Sequence, residues 1–159
     1  MNQSVEGFFI QKLTFRSRTS YITSGEERDI ADINALRKAM NPQAALIRPR
    51  EVRVLAYARL GCIIIAREER SGRLVGMATL ATYTKLGARV GVIENVVVEE
   101  AFRGKGIGRD MVNSLIRRAR GYGITHINLT SNPERVEAIA LYKSLGFVQR
   151  DTYTFRMVL

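Results

Sequence analysis

Residues 103–109, RGKGIGR, combine two features that suit an anion: basic residues alternate with glycines, and a helical pattern follows directly. The basic residues are Arg103, Lys105 and Arg109, and the glycines are Gly104, Gly106 and Gly108. A strand that enters a helix through glycines presents unpaired backbone N–H groups at the positive end of the helix dipole. Glycine also lets the backbone approach a ligand closely and adopt positive φ angles. The pattern therefore predicts a site for a phosphate group.

Two common phosphate-binding loops do not fit this segment. A P-loop requires Ser or Thr after its Gly-Lys pair, but Gly106 follows Gly104-Lys105 here. The dinucleotide fingerprint G-x-G-x-x-G requires a third glycine, and its two candidate positions hold Arg109 and Met111. The segment therefore belongs to another class of anion-binding loop.

A third pattern does fit: Arg or Gln, two residues of any type, Gly, one residue of any type, and then Gly or Ala. With this pattern, residues 103–108 resemble the acetyl-CoA loop of the GNAT superfamily of N-acetyltransferases. Further along, AIALYKSLGF at residues 138–147 is similar to the second signature of that family, Ala-x-x-Leu-Tyr-x-x-x-Gly-Phe. The resemblance in motifs covers about residues 93–147. It implies an acyltransferase that moves an acetyl group from acetyl-CoA to a primary amine of a small molecule or a protein.

The same resemblance implies a cofactor-binding role for the loop and for the strand before it. Backbone amides of residues 103–108 would cradle the CoA pyrophosphate, and Lys105 and Arg109 would add positive charge. A solvated helix start explains Arg109 equally well. The main chain of residues 96–98 matches the segment that pairs with pantetheine in this family. The expected cofactor-binding residues are Val96, Val97, Val98, Arg103, Gly104, Lys105, Gly106, Ile107, Gly108 and Arg109.

Acetyl transfer to an amine requires two proton movements, and two residues are candidates for them. An alkylamine with a pKa near ~10.4 is mostly protonated at neutral pH and must lose a proton before it attacks. Glu94, nine residues before Arg103, matches a position where several family members place a general base, here acting through water. A carboxylate within the apolar strand GVIENVVV is costly to bury unless it is paired or functional; the alternative is a glutamate on an exposed face or in an ion pair. Tyr142 matches the family's general acid, and its alternative is a packing role.

Three other residues give weaker indications of a functional role. Arg135 stands where many relatives have an asparagine that contacts pantetheine, so either it reaches a CoA phosphate or it turns outward. His126 matches no catalytic position of the family and is interpreted as a structural strand residue. Cys62 begins the apolar run CIIIA and is expected to be buried and inert, which favours direct transfer in a ternary complex over a covalent mechanism.

The whole chain sets broad limits on the protein class. Its 159 residues, 46% of them hydrophobic and 25% charged, fit one soluble domain spanning residues 1–159. One cysteine and one histidine offer no metal-ligand spacing, so no metal site is expected. The chain has neither an apolar run of membrane-spanning length nor a signal-peptide pattern, which predicts a cytoplasmic protein without membrane association.

The periodicities predict a mixed α/β domain. Strand patterns occur in GFFIQKLTF, CIIIARE, RLVGMATLATY, ARVGVIENVVV, ITHINLTS and the C-terminal DTYTFRMVL. Helical patterns occupy residues 24–40, a short segment after Pro49, residues 107–120 and ERVEAIALYKSLGF. The resemblance implies the GNAT arrangement of these elements, a central mixed and largely antiparallel sheet flanked by about four helices and splayed at its central strands.

Two other functions stay open at this stage. The chain could be a catalytically silent CoA-binding module with a regulatory role. Its net charge of +10 could also serve nucleic-acid binding, although aromatic residues do not interleave with the basic clusters and no groove-reading helix is recognisable. A basic surface favours a phosphorylated or acidic amine acceptor over a polycation, and the sequence leaves homodimer formation open.

Overall fold

The computed structural model describes residues 3–13, 24–56 and 61–158. These ranges contain six strands, four α-helices and one short 3-10 helix at Glu100–Phe102. The strands are β1 (Gln3–Val5), β2 (Phe8–Lys12), β3 (Cys62–Glu68), β4 (Leu74–Lys85), β5 (Ala88–Val98) and β6 (His126–Asn128). The helices are α1 (Ser24–Met40), α2 (Pro49–Ala56), α3 (Ile107–Gly121) and α4 (Val136–Ser144).

The strands form one sheet in chain order, β1-β2-β3-β4-β5-β6. Each neighbouring pair from β1 to β5 is antiparallel, and β5 pairs with β6 in parallel. This is the mixed, largely antiparallel sheet with four helices that the sequence predicts. The first predicted strand is observed as a hairpin, because Gly7, with φ +78°, turns the chain between β1 and β2.

Helices cover both faces of the sheet. On one face, called the α3 face, the side chains of Ile107, Met111, Leu115 and Ala119 pack on the strands, and each is at most 1% exposed. These are the four residues of the helical stripe that the sequence predicts for α3. On the other face, called the α1 face, Ile30, Ile33, Leu36 and Val52 pack on apolar side chains that include Met77 and Val97.

Polar contacts fix α1 against the sheet. Arg67 Nη2 on β3 donates to both carboxylate oxygens of Asp29, at 2.9 Å each. One turn further along α1, Asp32 Oδ2 accepts the backbone N–H of Leu74 at 2.9 Å. Because the two carboxylates contact different strands, α1 is held in both its position along the sheet and its rotation.

The C-terminal strand that the sequence predicts is absent from the described residues. Residues 148–158 form no strand, and the alternating side chains of Tyr153, Phe155 and Met157 are 83–90% exposed. Apolar alternation gives a segment one hydrophobic face, but a strand also needs a partner edge for its backbone hydrogen bonds. The outer strand β6 is only three residues long, and residues 148–158 make no ladder with it.

We expect Asn34 to contribute to the stability of the domain through the segment between α1 and α2. Its Nδ2 donates to the carbonyl of Ile47 at 3.1 Å, and its Oδ1 accepts the N–H of the same residue at 2.7 Å. Asn34→Ala leaves both backbone groups without this partner and should lower the free energy of unfolding by about 1–3 kcal/mol. Urea denaturation measures the change, with the exposed Gln43→Ala on the same segment as control. Equal stability of the two variants would contradict the assignment.

Candidate active site

The loop before α3 carries a run of backbone amides without acceptors. The N–H of Arg103 donates to the carbonyl of Glu100, and the first bond of α3 runs from Asp110 N–H to the carbonyl of Gly106. Between these two bonds, the amides of residues 104–109 donate to no acceptor in the described part of the chain. Six consecutive N–H groups therefore have no acceptor in the described chain, at the positive end of a 15-residue helix. The free run begins one residue later than the sequence predicts, because the Arg103 amide is already bonded.

Glycine is required at two positions of this loop. Gly104 has φ +76° and Gly106, the N-cap of α3, has φ +83°. Both values lie in the left-handed region, where a Cβ atom is disfavoured. A Cβ built at either position meets no atom within 4 Å, so space for an anion remains beside the backbone. Gly108 differs: it has no positive φ, and a Cβ added there would make an ordinary van der Waals contact with Leu141 at 3.5 Å.

The three basic side chains of the loop each contact protein groups. Arg103 Nε donates to the carbonyl of Val98 at 3.2 Å. The ammonium of Lys105 lies over the rings of Phe8 and Phe102, 5.5 and 5.3 Å from their centroids. Arg109 Nη2 donates to Ser144 Oγ on α4 at 2.9 Å. Positive charge therefore surrounds the loop, while the amides are the groups that have no partner.

A β-bulge interrupts the pairing of β5 with β4, seven to eight residues before the loop begins at Arg103. Met77 pairs with Val97 and Thr79 pairs with Glu94, so two residues of β5 oppose one residue of β4. Asn95 has φ +54°, and among the described residues it is the only non-glycine with positive φ. The buried Thr79 holds the bulge: its Oγ1 donates to the carbonyl of Glu94 at 2.9 Å and accepts from Asn95 Nδ2 at 3.3 Å.

The parallel strands β5 and β6 separate shortly before the bulge. β5 and β6 pair only from Val90 to Val92 opposite residues 126–128. From Ile93 to Val98, β5 has no strand partner on its β6 side within the described residues. Because strand N–H and C=O groups alternate in direction, every second residue here turns its backbone polar groups toward the opening. This open edge leads directly to the loop of free amides.

Glu94 lies beside the bulge, and its side chain is exposed. Ile93 belongs to the core of the α3 face, so alternation places Glu94 on the α1 face. An exposed carboxylate pays little desolvation, and the cost of burial on which the sequence argument relied is therefore not incurred. What supports a role for Glu94 is its position at the point where the sheet opens.

Tyr142 lies on the opposite face. It is half-buried against the core of the α3 face, and its ring meets that of Phe147 edge-on with centroids 6.0 Å apart. Burial raises the pKa of the Tyr142 phenol above its usual value, and the positive charge of Arg135 partly opposes this effect. The phenol is therefore protonated at neutral pH. Its hydroxyl makes no hydrogen bond to another described residue, so it is available as a donor.

The remaining candidates fall outside this group. Arg135 Nη2 donates to the carbonyl of Met40 at 3.4 Å, so the side chain is directed toward α1. His126 begins β6, is exposed and contacts Thr125 Oγ1 at 3.0 Å. Cys62 is fully buried, as predicted, and burial raises the pKa of its thiol, which keeps it protonated.

Neither a metal-binding cluster nor a helix fit to cross a membrane is found among the described residues. In residues 3–13, 24–56 and 61–158, His, Cys, Asp and Glu side chains form no group of three or more that could hold a metal ion. Within those ranges no helix has the length and apolarity needed to cross a membrane.

The sequence analysis missed Thr79 and Asn95, which shape the bulge. Asn95 gave a usable signal, because asparagine is among the few residues that tolerate the left-handed conformation and it interrupts a run of β-branched residues. Thr79 gave none, since threonine is common in strands and its partner is 15 residues further along the chain.

Comparison with known proteins places the chain among acetyltransferases. A family model described as "Acetyltransferase (GNAT) family" matches residues 30–147. The chain is 32% identical over 92 residues to glucosamine 6-phosphate N-acetyltransferase 1 of Oryza sativa subsp. japonica, covering 56% of this chain and 54% of the relative. The chain thus spans about half the length of the curated relatives that it matches.

Solved structures share the fold. The crystal structure of glucosamine-6-phosphate N-acetyltransferase from Arabidopsis thaliana superposes with a TM-score of 0.73 at 22% identity, covering 94% of this chain and 97% of that one. An aminoglycoside N-acetyltransferase in complex with CoA gives a TM-score of 0.72 at 17% identity, covering 95% and 94%. At these identities the likeness shows the fold, including the mixed sheet and its helices.

We expect the left-handed backbone at Asn95 to tolerate glycine and to reject β-branched residues. Asn95→Gly should stay within about 1 kcal/mol of the wild-type unfolding free energy, because glycine adopts positive φ without strain. Asn95→Val should cost about 1–3 kcal/mol more than the glycine variant. Urea denaturation of both proteins compares them. Equal losses would mean that the side-chain bond to Thr79, and not the backbone conformation, is what matters at Asn95.

Proposed function

Because the chain belongs to the acetyltransferase (GNAT) family, we propose that it is an N-acetyltransferase that takes its acetyl group from acetyl-CoA. One observation carries the proposal: six free backbone amides at the start of α3 adjoin the open edge of β5. A diphosphate fits the first feature, and an extended amide-containing chain fits the second. CoA joins these two groups in one molecule.

The residues present fit this ligand. The amides of residues 104–109 would hold the pyrophosphate, and the open edge at residues 96–98 would pair with the pantetheine amides. Gly104 and Gly106 leave room for close approach, which bulkier residues would remove. Lys105 and Arg109 would add long-range attraction for phosphate while keeping their protein contacts.

When bound, acetyl-CoA supplies an acetyl group activated as a thioester. In the overall reaction a C–N bond forms to the amine, the C–S bond breaks, one proton leaves the amine nitrogen, and one proton is taken up by the sulfur. The protein must accept the first proton, donate the second, and hold both reactants in line.

Glu94 and Tyr142 suit these two tasks because they lie on opposite faces of the sheet. Glu94 on the α1 face would accept the amine proton through a water molecule. Tyr142 on the α3 face would donate its hydroxyl proton to the sulfur and regain one from solvent. The amine would approach the thioester carbon from the α1 face, and the thiol would leave that carbon toward the α3 face.

For the acceptor, we propose a primary amine on a small molecule that also carries negative charge. The net charge of +10, with Arg48 and Arg50 exposed at the start of α2, favours anionic acceptors. Similarity to glucosamine 6-phosphate N-acetyltransferases points in the same direction, because that substrate is a phosphorylated amine. Faster acetylation of spermidine than of glucosamine 6-phosphate would overturn this part of the proposal.

A silent CoA-binding module is the second candidate, and the described residues give no reason to prefer it. Such a module would bind CoA through the same loop but would not need a carboxylate and a phenol on either side of the opening. Binding of acetyl-CoA without turnover, across anionic, neutral and cationic amines, would favour it. Nucleic-acid binding requires a steep fall of affinity with salt, and a flat dependence would remove that alternative.

We expect Gly106→Glu to abolish acetyl-CoA binding. Glutamate places a negative charge and a strained left-handed residue where phosphate should lie, and the dissociation constant should rise at least ~30-fold. Calorimetric titration measures the change. Gly72→Glu is the matched control, because Gly72 also has positive φ and open space but lies in the turn before β4. Lys105→Gln should weaken binding only about threefold, since its ammonium is placed over aromatic rings.

We expect Glu94→Gln and Tyr142→Phe each to lower kcat by about 10²–10⁴-fold, because each removes one proton-transfer group. Acetyl-CoA affinity should stay within about threefold of wild type, since neither side chain belongs to the phosphate loop. Steady-state kinetics with glucosamine 6-phosphate, beside calorimetry, separates the two quantities. A variant that keeps the wild-type kcat would remove that residue from the mechanism.

A further inference from the structure

Arg135 links two helices that are remote in the chain. It is the N-cap residue of α4, and its Nη2 donates to the carbonyl of Met40, the last residue of α1, at 3.4 Å. That carbonyl belongs to the last turn of α1, where backbone oxygens lack helical partners and the helix dipole is negative. A guanidinium is therefore suited to this position.

The link joins the two faces of the sheet. α1 packs on the α1 face, whereas Tyr142 of α4 and Leu145, the residue after α4, pack against the core of the α3 face. An exposed hydrogen bond between the ends of these helices links the two sides of the fold. Arg135 thus connects the side of the sheet that carries Glu94 with the helix that carries Tyr142.

The spacing along α4 places Tyr142 and Arg135 on one side of the helix. Tyr142 follows Arg135 by seven residues, about two helical turns, so both lie on the same side of α4. Side chains on a helix tilt toward its N-terminus, which directs the phenol back toward Arg135. Burial raises the pKa of this phenol, and the guanidinium of Arg135 acts against that rise.

Other charged groups lie on the elements around α4. They include Arg109 on α3, Glu94 on β5, Arg37 and Lys38 in the last turn of α1, and Glu137 and Lys143 on α4. Arg109 is bonded to Ser144, Arg37 donates to the carbonyl of Ala45, and Glu94 lies on the α1 face. Among the described charges, Arg135 is the one that acts on the Tyr142 phenol.

We propose that Arg135 is a positioning residue for Tyr142: it links α4 to the end of α1 and places a positive charge on the same side of α4 as the phenol. The inference rests on the proposed function, in which Tyr142 gives its proton to the departing sulfur. As the O–H bond breaks and the S–H bond forms, negative charge develops on the phenol oxygen, and the guanidinium stabilises it. This assigns Arg135 a role other than binding a CoA phosphate.

Spectroscopic titration of Tyr142 tests the inference without an acceptor or any turnover. The absorbance of ionised tyrosine near ~295 nm is followed with pH, and subtraction of the Tyr142→Phe profile isolates one phenol from the six in the chain. In Arg135→Gln we expect the pKa of Tyr142 to rise by about 0.5 or more. In Arg135→Lys, which keeps the charge, the pKa should stay closer to wild type.

Lys143→Gln is the matched control, because it removes one positive charge from the residue next to Tyr142 on an exposed site of the same helix. Its Tyr142 titration should match wild type. An unchanged pKa in Arg135→Gln, or equal rises in the glutamine and lysine variants, would overturn the inference. So would a rise in Lys143→Gln as large as that in Arg135→Gln, since the effect would then be one of net charge.

Acetyl-CoA calorimetry separates failure of this inference from failure of the proposed function. Affinity in Arg135→Gln should stay within about threefold of wild type. A tenfold loss with an unchanged Tyr142 titration would make Arg135 a phosphate contact and overturn the inference. Absence of binding by wild type would overturn the proposed function instead, while the titration would still report whether Arg135 acts on the phenol.

Discussion

The bulge at Asn95 is the constraint on which the rest of the site depends. One extra residue in β5 bends the strand and turns the following residues relative to their partners on β4. The β5–β6 ladder ends at Val92, three residues before Asn95, and beyond it the edge of β5 has no strand partner on that side among the described residues. The Thr79 contacts to Glu94 and Asn95 hold the bulge in place beside this opening.

The opening explains why backbone groups, and not side chains, form the anion site. The strand that leaves the bulge runs through Glu99 and the 3-10 helix into the glycine loop, so the free edge and the free amides are parts of one continuous segment. Arg103, Lys105 and Arg109 contact protein groups around it and leave the amides exposed. Fixed amide dipoles need no rearrangement when an anion arrives, which favours binding in one defined position.

The sequence predicted the features that depend on residues close together in the chain, and it missed those that depend on residues far apart. The stripe Ile107, Met111, Leu115 and Ala119 predicted the buried side of α3, because one helix encodes it every four residues. The glycine loop was predicted for the same reason, because its residues are consecutive in the chain. The bulge was not predicted, since it depends on pairing between β4 and β5, and the expected C-terminal strand was wrong because alternation cannot supply a partner edge. The exposure of Glu94 was likewise set by tertiary packing.

The difference between local patterns and long-range contacts also separates the two faces of the sheet. The segment with the phosphate loop and Tyr142 falls within residues 93–147, where short-range patterns carry the family motifs. On the α1 face, by contrast, position is set by contacts between remote residues: Asp29 with Arg67 and Asp32 with Leu74 are 38 and 42 residues apart, and Met40 with Arg135 is 95 apart. Short-range sequence patterns do not encode such contacts. If the amine arrives from the α1 face, as proposed, acceptor specificity is the property that sequence motifs describe least. Substitutions in α1 would then change the choice of acceptor without disturbing the acetyl-CoA loop.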